Sequence, residues 1–594
     1  IARPTAPCAP GTREALGSET CTPVGVAACA AGFEKHPSGW GCRPVVPKTA
    51  CAGATREALG QSACVPVGDC TAAFPPAEAT HFVDAALPDG AVDATHHKSL
   101  AAALAAAPAG ATIAVEARRY AESVLVTKDV TIVGRCPAQV ILEGADVEPV
   151  VKVLDRELSL RGVTLSKGRR GLRAEGPARV TLADAVIEDS LVAGIDAFDG
   201  PEVDAARVVV RGTREGAAGQ ITNGVLADFA TVRLVASVVA GAADAGIGVT
   251  GGGSARLERS LVLEPVPRSD GVGGSAVRAF LGARVDLVES ALVGARGVAL
   301  VAGSRSTRIG LERSSVVDTK LDDRPGLETS TSVSVQDGAS LSMTDVTVAD
   351  VPGTAIAVRK PDTKGTLTRT VVVNVTDDGI TGGGFGVTVT DRARLTLTDS
   401  AVIDTIFSGV TADLAGAELT VDRCLVAGTK PARGGGKVPP DTGGYGVLAN
   451  RGGSAVVRDS TLVDARDLGA IAAVEGSTLR VERTLVARTK KDGQDRFGHG
   501  LLALLGGRLF TDGAVVEANA GAGLLFDRGG GVVRGTSVLS NEIGIHVQKG
   551  AELLEGDPGE GELEDNAVWV TPDTRFVRNT TRVGSGQLAV PQVF

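Results

Sequence analysis

The chain has 594 residues, with 60 Lys and Arg against 70 Asp and Glu. The resulting net charge of −10 leaves no basic surplus to displace counterions from a nucleic acid. Hydrophobic residues make up 43% and aromatic residues only 3%, which excludes global disorder and implies thin core layers of Val, Leu, Ala and Gly. No apolar run is long enough to cross a bilayer as a helix.

Residues 1–75 are read as a Cys-rich segment of three tandem units. Cys8 and Cys21, Cys29 and Cys42, and Cys51 and Cys64 share one spacing, and Thr12-Arg13-Glu14-Ala15-Leu16-Gly17 recurs as Thr55-Arg56-Glu57-Ala58-Leu59-Gly60. Units this short cannot build a core and need staples, each contributing about 3 kcal/mol on a chain-entropy model. The expected disulfides are Cys8–Cys21, Cys29–Cys42 and Cys51–Cys64, with Cys70 left to pair with Cys136; pairing between units is the alternative. Zinc is disfavoured, because no Cys-x-x-Cys is present and only His36 lies nearby. Cys424 occupies a repeat position filled elsewhere by Ser400 and Thr484, so it reads as a free, small, buried residue. Disulfides together with a non-Met first residue predict an exported chain whose signal peptide has been removed, placed extracellularly or at a cell surface.

Residues 76–110 read as a linker and a capping helix. Ser99 to Ala107 has high helix propensity, and Pro108-Ala109-Gly110 ends it. From 111 to 564 one phrase recurs, as in Ala393-Arg394-Leu395-Thr396-Leu397-Thr398-Asp399-Ser400-Ala401-Val402 and Ala178-Arg179-Val180-Thr181-Leu182-Ala183-Asp184-Ala185-Val186. Its apolar anchors are placed at Val180, Val208, Val232, Leu257, Val285, Ile309, Leu341, Leu367, Leu395 and Leu419. Each turn holds three short alternating runs, which are stable only if stacked turn on turn in parallel. The predicted fold class is all-β, a right-handed parallel β-helix solenoid with an N-terminal capping helix and a small disulfide-rich N-terminal segment. Residues 565–594 are expected to form a C-terminal cap or tail.

The order of helix, Pro-x-Gly, strand Thr112–Val115, Tyr120-x-Glu122, and strand Val130–Gly134 resembles the entry segment of the pectin-lyase-like family of right-handed β-helices. The resemblance covers roughly residues 80–560 and implies the fold; that family includes lyases, hydrolases, esterases, epimerases, adhesins and phage fibres. A Cys-rich prefix joined to such a helix also resembles exported proteins of high-GC bacteria such as myxobacteria. A hydrolase of this kind would show Asn-x-Asp, Asp-Asp, Gly-His-Gly and Arg-x-Lys phrases. Here Gly498-His499-Gly500 stands beside Lys490-Lys491-Asp492-Gly493-Gln494-Asp495-Arg496, which makes Asp492, Asp495, Arg496 and His499 the catalytic candidates. The Asp322-Asp323 and Asp377-Asp378 pairs lie far upstream, and no Arg-x-Lys follows.

Long insertions at Pro265–Gly274, Lys320–Thr331, Thr429–Gly444 and Thr489–Gly498 share one corner and should stack into a ridge. No cofactor is expected. Ca²⁺ is a possible ligand of the ridge, at Asp322, Asp323, Asp441, Asp492 or Asp495. Scarce aromatics and the incomplete catalytic phrases favour an exported, non-catalytic structural or adhesive β-helix, with extracellular protein, polysaccharide or another copy of itself as partner. The alternative is a secreted lyase or hydrolase acting on an acidic polysaccharide.

Overall fold

The computed structural model describes residues 2–4, 6–321, 330–379, 383–434, 439–559 and 564–591. The fold is a right-handed parallel β-helix, and the chain divides into two compact units. One holds residues 30–34 and 44–320; the other holds 1–29, 35–43 and 321–594. Each is built of the same coil, three strands that join three parallel sheets. The first sheet contains Arg179–Ala183 and Arg394–Thr398, the second Val186–Glu188 and Ala401–Ile403, the third Ala193–Phe198 and Phe407–Asp413. Inward residues such as Val180, Ile187 and Ile195 are fully covered.

The entry is capped as expected. Helix Leu100–Ala106 has Ser99 as N-cap, with Ser99 Oγ accepting from Ala102 N–H at 3.2 Å. The Glu122 carboxylate accepts from Leu100 and Ala101 N–H, and Lys128 donates to the carbonyls of Leu104, Ala105 and Ala107. Both helix ends thus receive the charge that their unpaired backbone groups favour. The region expected as a linker contributes strands: His81–Val83 pairs with Ala111–Val115, and His81 and His97 are buried.

Registration corrects the period. Val180 is level with Val203, not Val208, and Val203 is level with Val232. Val232 is level with Ala255 and Leu341 with Gly365, so Leu257 and Leu367 stand two residues further along their strands. Steps between level residues then alternate. From Val180 the first unit continues to Val203, Val232, Ala255, Val285 and Ile309; the other runs Leu341, Gly365, Leu395, Leu419, Ala455, Leu479 and Leu509. The real repeat is therefore a pair of turns, one short and one carrying a long loop between the second and third sheets. Such a loop is itself a hairpin, as the antiparallel Pro267–Gly273 and Lys491–Phe497 bridges show. Two hairpin arms side by side occupy about 10 Å, the rise of two coils at about 4.8 Å each, so consecutive coils cannot both carry one. The turn between the first and second sheets repeats the pairing in charge. Asp184 pairs with Arg207, Asp345 with Arg369, Asp399 with Arg423 and Asp459 with Arg483, through two hydrogen bonds each.

The disulfides are Cys8–Cys21, Cys29–Cys42, Cys51–Cys64 and Cys70–Cys136, and Cys424 is free and buried. The Cys-rich loops do not stand apart from the coil. In one unit Phe33, Val46 and Leu59 pack on Val238, Leu261 and Ala291, and Val67 packs on Val186 and Val209. In the other, Gly25 N–H donates to Asp399 O, Cys42 N–H to Thr347 Oγ1, and the Thr461 hydroxyl to Glu14 O. In both units the covered surface is the outer face of the second sheet. Several of its strands are apolar throughout (Leu261-Val262-Leu263, Ala401-Val402-Ile403), the pattern of a strand buried on both sides. Residues 567–585, expected as a cap, form three more strands that pair with the preceding coil. No helix of the described residues is long and apolar enough to cross a membrane.

Candidate functional site

The Thr489–Gly498 insertion folds as a hairpin whose start is pinned by Asp492. Its carboxylate accepts from the backbone N–H of Gln494 and Arg496 and from the Arg496 guanidinium at 2.7 Å. Burial pushes this carboxyl up, but these donors outweigh it and hold Asp492 below the usual range. Asp495 is exposed at the tip, 3.8 Å from Lys491. His499 opens the strand His499–Leu504 and is buried. Its Nδ1 accepts from Ala522 N–H at 3.0 Å, so Nε2 carries the proton and faces the Ala589 carbonyl at 3.3 Å. Burial lowers its pKa to about 4. With both nitrogens engaged, His499 is built to hold its surroundings rather than to move a proton.

Beside this hairpin lies a cavity of about 250 Å³, lined by Pro439 to Thr442, Tyr445, Asp467, Arg496, Phe497 and residues 589–591. Two of the lining groups were not singled out by the sequence. Asp467 is 1% exposed, has φ 95°, and neither carboxyl oxygen has a hydrogen-bond partner. Burial, reinforced by the charge of Asp492, pushes its pKa up to about 8. Tyr445 is equally buried, its hydroxyl also lacks a partner, and burial and Asp467 raise its pKa. Each buried polar group left unpaired costs about 1–3 kcal/mol, so two in one cavity mark a place where a ligand can supply the missing partners. Arg496 sits at the rim, 40% exposed at its side chain and 5.1 Å from the Phe497 ring. Scarce aromatics concentrate here, with Tyr445 packed on Phe407 at 5.7 Å and Phe407 on Phe385 at 4.9 Å between ring centroids.

Asp467 could have been found by register. Tyr445, Leu468 and His499 are level, which puts Asp467 where Gly444 and Gly498 stand in the neighbouring coils. An acid in a buried glycine slot is the signal.

Of the calcium candidates, Asp441 is exposed at the rim of the cavity, Asp492 is held by Arg496, and Asp495 points into solvent. Asp322 and Asp323 lie outside the described residues. Among the described residues no three His, Cys, Asp or Glu side chains gather as a metal site.

No protein-family profile and no curated protein matches the chain. Solved structures do. A mannuronan C-5 epimerase A-module from Azotobacter vinelandii is 10% identical over 82% of this chain and 95% of its own, with a TM-score of 0.23. A periplasmic alginate epimerase is 10% identical over 78% of each chain, with a TM-score of 0.27. The catalytic domain of a GH87 α-1,3-glucanase is 9% identical over 88% of this chain and 71% of its own, with a TM-score of 0.21. At such scores these likenesses say nothing about chemistry, which has to be read from the residues themselves.

Proposed function

We propose that the chain is an exported β-helix enzyme acting on an acidic polysaccharide, with its site in the Tyr445–Asp467–Arg496 cavity. The observation that carries this reading is the pair of buried, unpartnered oxygen groups, one a carboxyl of raised proton affinity, facing one cavity with a cation at its rim. Four disulfides fit an oxidising compartment.

The residues favour elimination over hydrolysis. Hydrolysis uses two available carboxylates, whereas Asp492, the near neighbour of Asp467, is already committed to Arg496. In elimination from a uronate, Arg496 would face the sugar carboxylate and ease loss of the adjacent C5 proton. Ionised Asp467, whose raised pKa makes it a stronger base than an ordinary carboxylate, takes that proton. The C5–H electron pair forms the C4=C5 bond, the C4–O4 bond breaks, and the departing oxygen takes the hydroxyl proton of Tyr445. Solvent then returns a proton to Tyr445 and removes one from Asp467.

The test is incubation of the purified chain with pectate and with alginate, with and without Ca²⁺, following the ultraviolet absorbance of the new double bond. Turnover that Asp467→Asn removes supports the reading. Intact polymer under all conditions would sink it and leave the non-catalytic structural or adhesive role that composition by itself recommends.

A further inference from the structure

Beyond the cavity, the outer face of the third sheet in this unit is apolar, with Leu502, Leu504, Leu525 and Ile471 all covered. The cover includes the backbone segment 586–591. Leu588 and Val590 pack on that face. Three polar side chains placed among its apolar residues, His499, His546 and Gln548, bind the segment's backbone. His546 Nε2 lies 3.3 Å from Gly586 O, and His499 Nε2 lies 3.3 Å from Ala589 O. Gln548 makes a reciprocal pair, accepting from Leu588 N–H at 2.7 Å and donating to Leu588 O at 3.2 Å. These side chains are 2–5% exposed. Without the segment His499 Nε2 would be left unpaired on an apolar surface, while Gln548 would keep Asp527 and His546. The segment is thus a strap that the sheet is built to hold. It runs from the coil of His546 past that of His499 and enters the wall of the cavity through Ala589, Val590 and Pro591.

We propose that this strap blocks the face along which a bound polysaccharide would continue, so that the site takes the terminal unit of a chain rather than an internal one. A cavity of about 250 Å³ suits a single sugar ring, and Pro439 to Thr442 form another part of its wall. The inference rests on reading the cavity as a saccharide site.

The experiment measures affinity, independently of turnover, for a free uronic acid, its short oligomers and the polymer, by calorimetry on the inactive Asp467→Asn chain and on the native chain in parallel. Terminal-unit binding predicts dissociation constants that stay within about threefold as the ligand lengthens. Val590→Asp, which would detach the strap from its apolar seat, should make affinity rise with length. Gln548→Ala, a milder change that removes the reciprocal pair along with the contacts to Asp527 and His546, should shift it in the same direction with the fold retained. Affinity that already rises about tenfold or more with length in the native chain overturns the strap's role and leaves the functional reading intact. Failure of every ligand to bind either chain overturns the functional reading, and the strap's role with it.

Discussion

Asp244 and Asp467 occupy the same place in their respective units. Each precedes a third-sheet strand, Ala245–Thr250 or Leu468–Ala473, and each faces a hairpin of the same length from the next coil. The bridges Ala243–Val266 and Arg466–Lys490 fix the correspondence. Arg268 in one hairpin stands where Asp492 stands in the other, and Arg278 stands where Leu502 stands. Asp244, fully buried, has both arginines, Arg278 at 2.5 Å and Arg268 at 3.5 Å. Asp467 has an anion and a methyl-bearing side chain in their places, and nothing on its oxygens. One scaffold position thus stands against two guanidinium groups in one unit and is a carboxyl with a raised pKa in the other. The difference lies in two neighbours and not in the acid itself, which is why no motif scan for acidic pairs would find it.

The sharpest way to break this comparison is to neutralise each acid in turn. Asp467→Asn should lower turnover by about a thousandfold, the range of a lost general base and close to 4 kcal/mol of barrier, while leaving thermal stability unchanged or higher. Asp244→Asn should do the reverse, lowering stability by taking the carboxylate from the half-buried Arg278, while Arg268 keeps Asp270, and leaving turnover intact. Equal effects from both substitutions, in assay and calorimeter, would dissolve the distinction.

Next in size is the loss of a partner. Arg278→Leu gives Asp244 one of the two neighbours that Asp467 has, and removing one member of a buried ion network costs about 3 kcal/mol. Leu502→Arg makes the opposite change, giving Asp467 a counter-ion and drawing its pKa down. Denaturant unfolding measures the first, and the pH profile of turnover the second. A neutral Arg278→Leu would show that Asp244 does not need the pair.

How much of this was legible beforehand depended on whether a residue's surroundings came from its own strand or from the coils above and below. The β-helix was legible, because period-2 alternation and Gly turns act locally. The disulfide spacing was visible for the same reason. The two-turn repeat was hidden because Val208 and Leu257 are apolar near-matches to the true level residues Val203 and Ala255, and it emerges only from register. The role of the Cys-rich loops was recorded in the double-sided apolar runs of the second sheet, which say that a cover exists without saying which segment provides it. His499 attracted attention as a His between glycines, yet its ring nitrogens are used by Ala522 and Ala589. Asp467, one coil from the Gly498-His499-Gly500 phrase and outside any motif of its own, carries the unpaired chemistry.

A third, smaller effect is a pH limb. The folded pKa of Asp467 is raised to about 8 against about 3.9 in an unfolded chain, so the folded state holds more protons between those values. Stability from this group is therefore full in acid and falls as pH rises towards 8, by about 2 kcal/mol once water entering the charged site is allowed for. The limb should vanish in Asp467→Asn and in Leu502→Arg, and should persist in Asp244→Asn. His499 acts in the other direction, since its lowered pKa removes stability as pH falls from about 6.5 towards 4. Subtracting the Asp467→Asn curve from that of the native chain cancels His499 and isolates the carboxyl. The same base should make turnover of uronate rise with pH through about 8, and a flat profile there would deny Asp467 the role.

The smallest effect tests register where no charge is involved. At the turn between the first and second sheets, a run of buried hydroxyl and thiol side chains accepts a backbone N–H from the coil before. Thr370 N–H donates to Ser400 Oγ at 3.0 Å, Ser400 N–H to Cys424 Sγ at 3.4 Å, Cys424 N–H to Ser460 Oγ at 3.0 Å, and Ser460 N–H to Thr484 Oγ1 at 3.2 Å. Cys424 Sγ in turn donates to Asp422 O at 3.2 Å. Sulfur is the weaker member of this ladder, and burial pushes its pKa up to about 12, so the thiol is an inert stand-in for a hydroxyl. Cys424→Ser should accordingly be neutral or stabilising within about 1 kcal/mol. Cys424→Val, close in size but unable to accept, leaves Ser400 N–H unpaired and should cost about 1–2 kcal/mol. If the two variants unfold at the same denaturant concentration, shape and not hydrogen bonding sets this position. The level-by-level logic that separates Asp467 from Asp244 would then lose its simplest support.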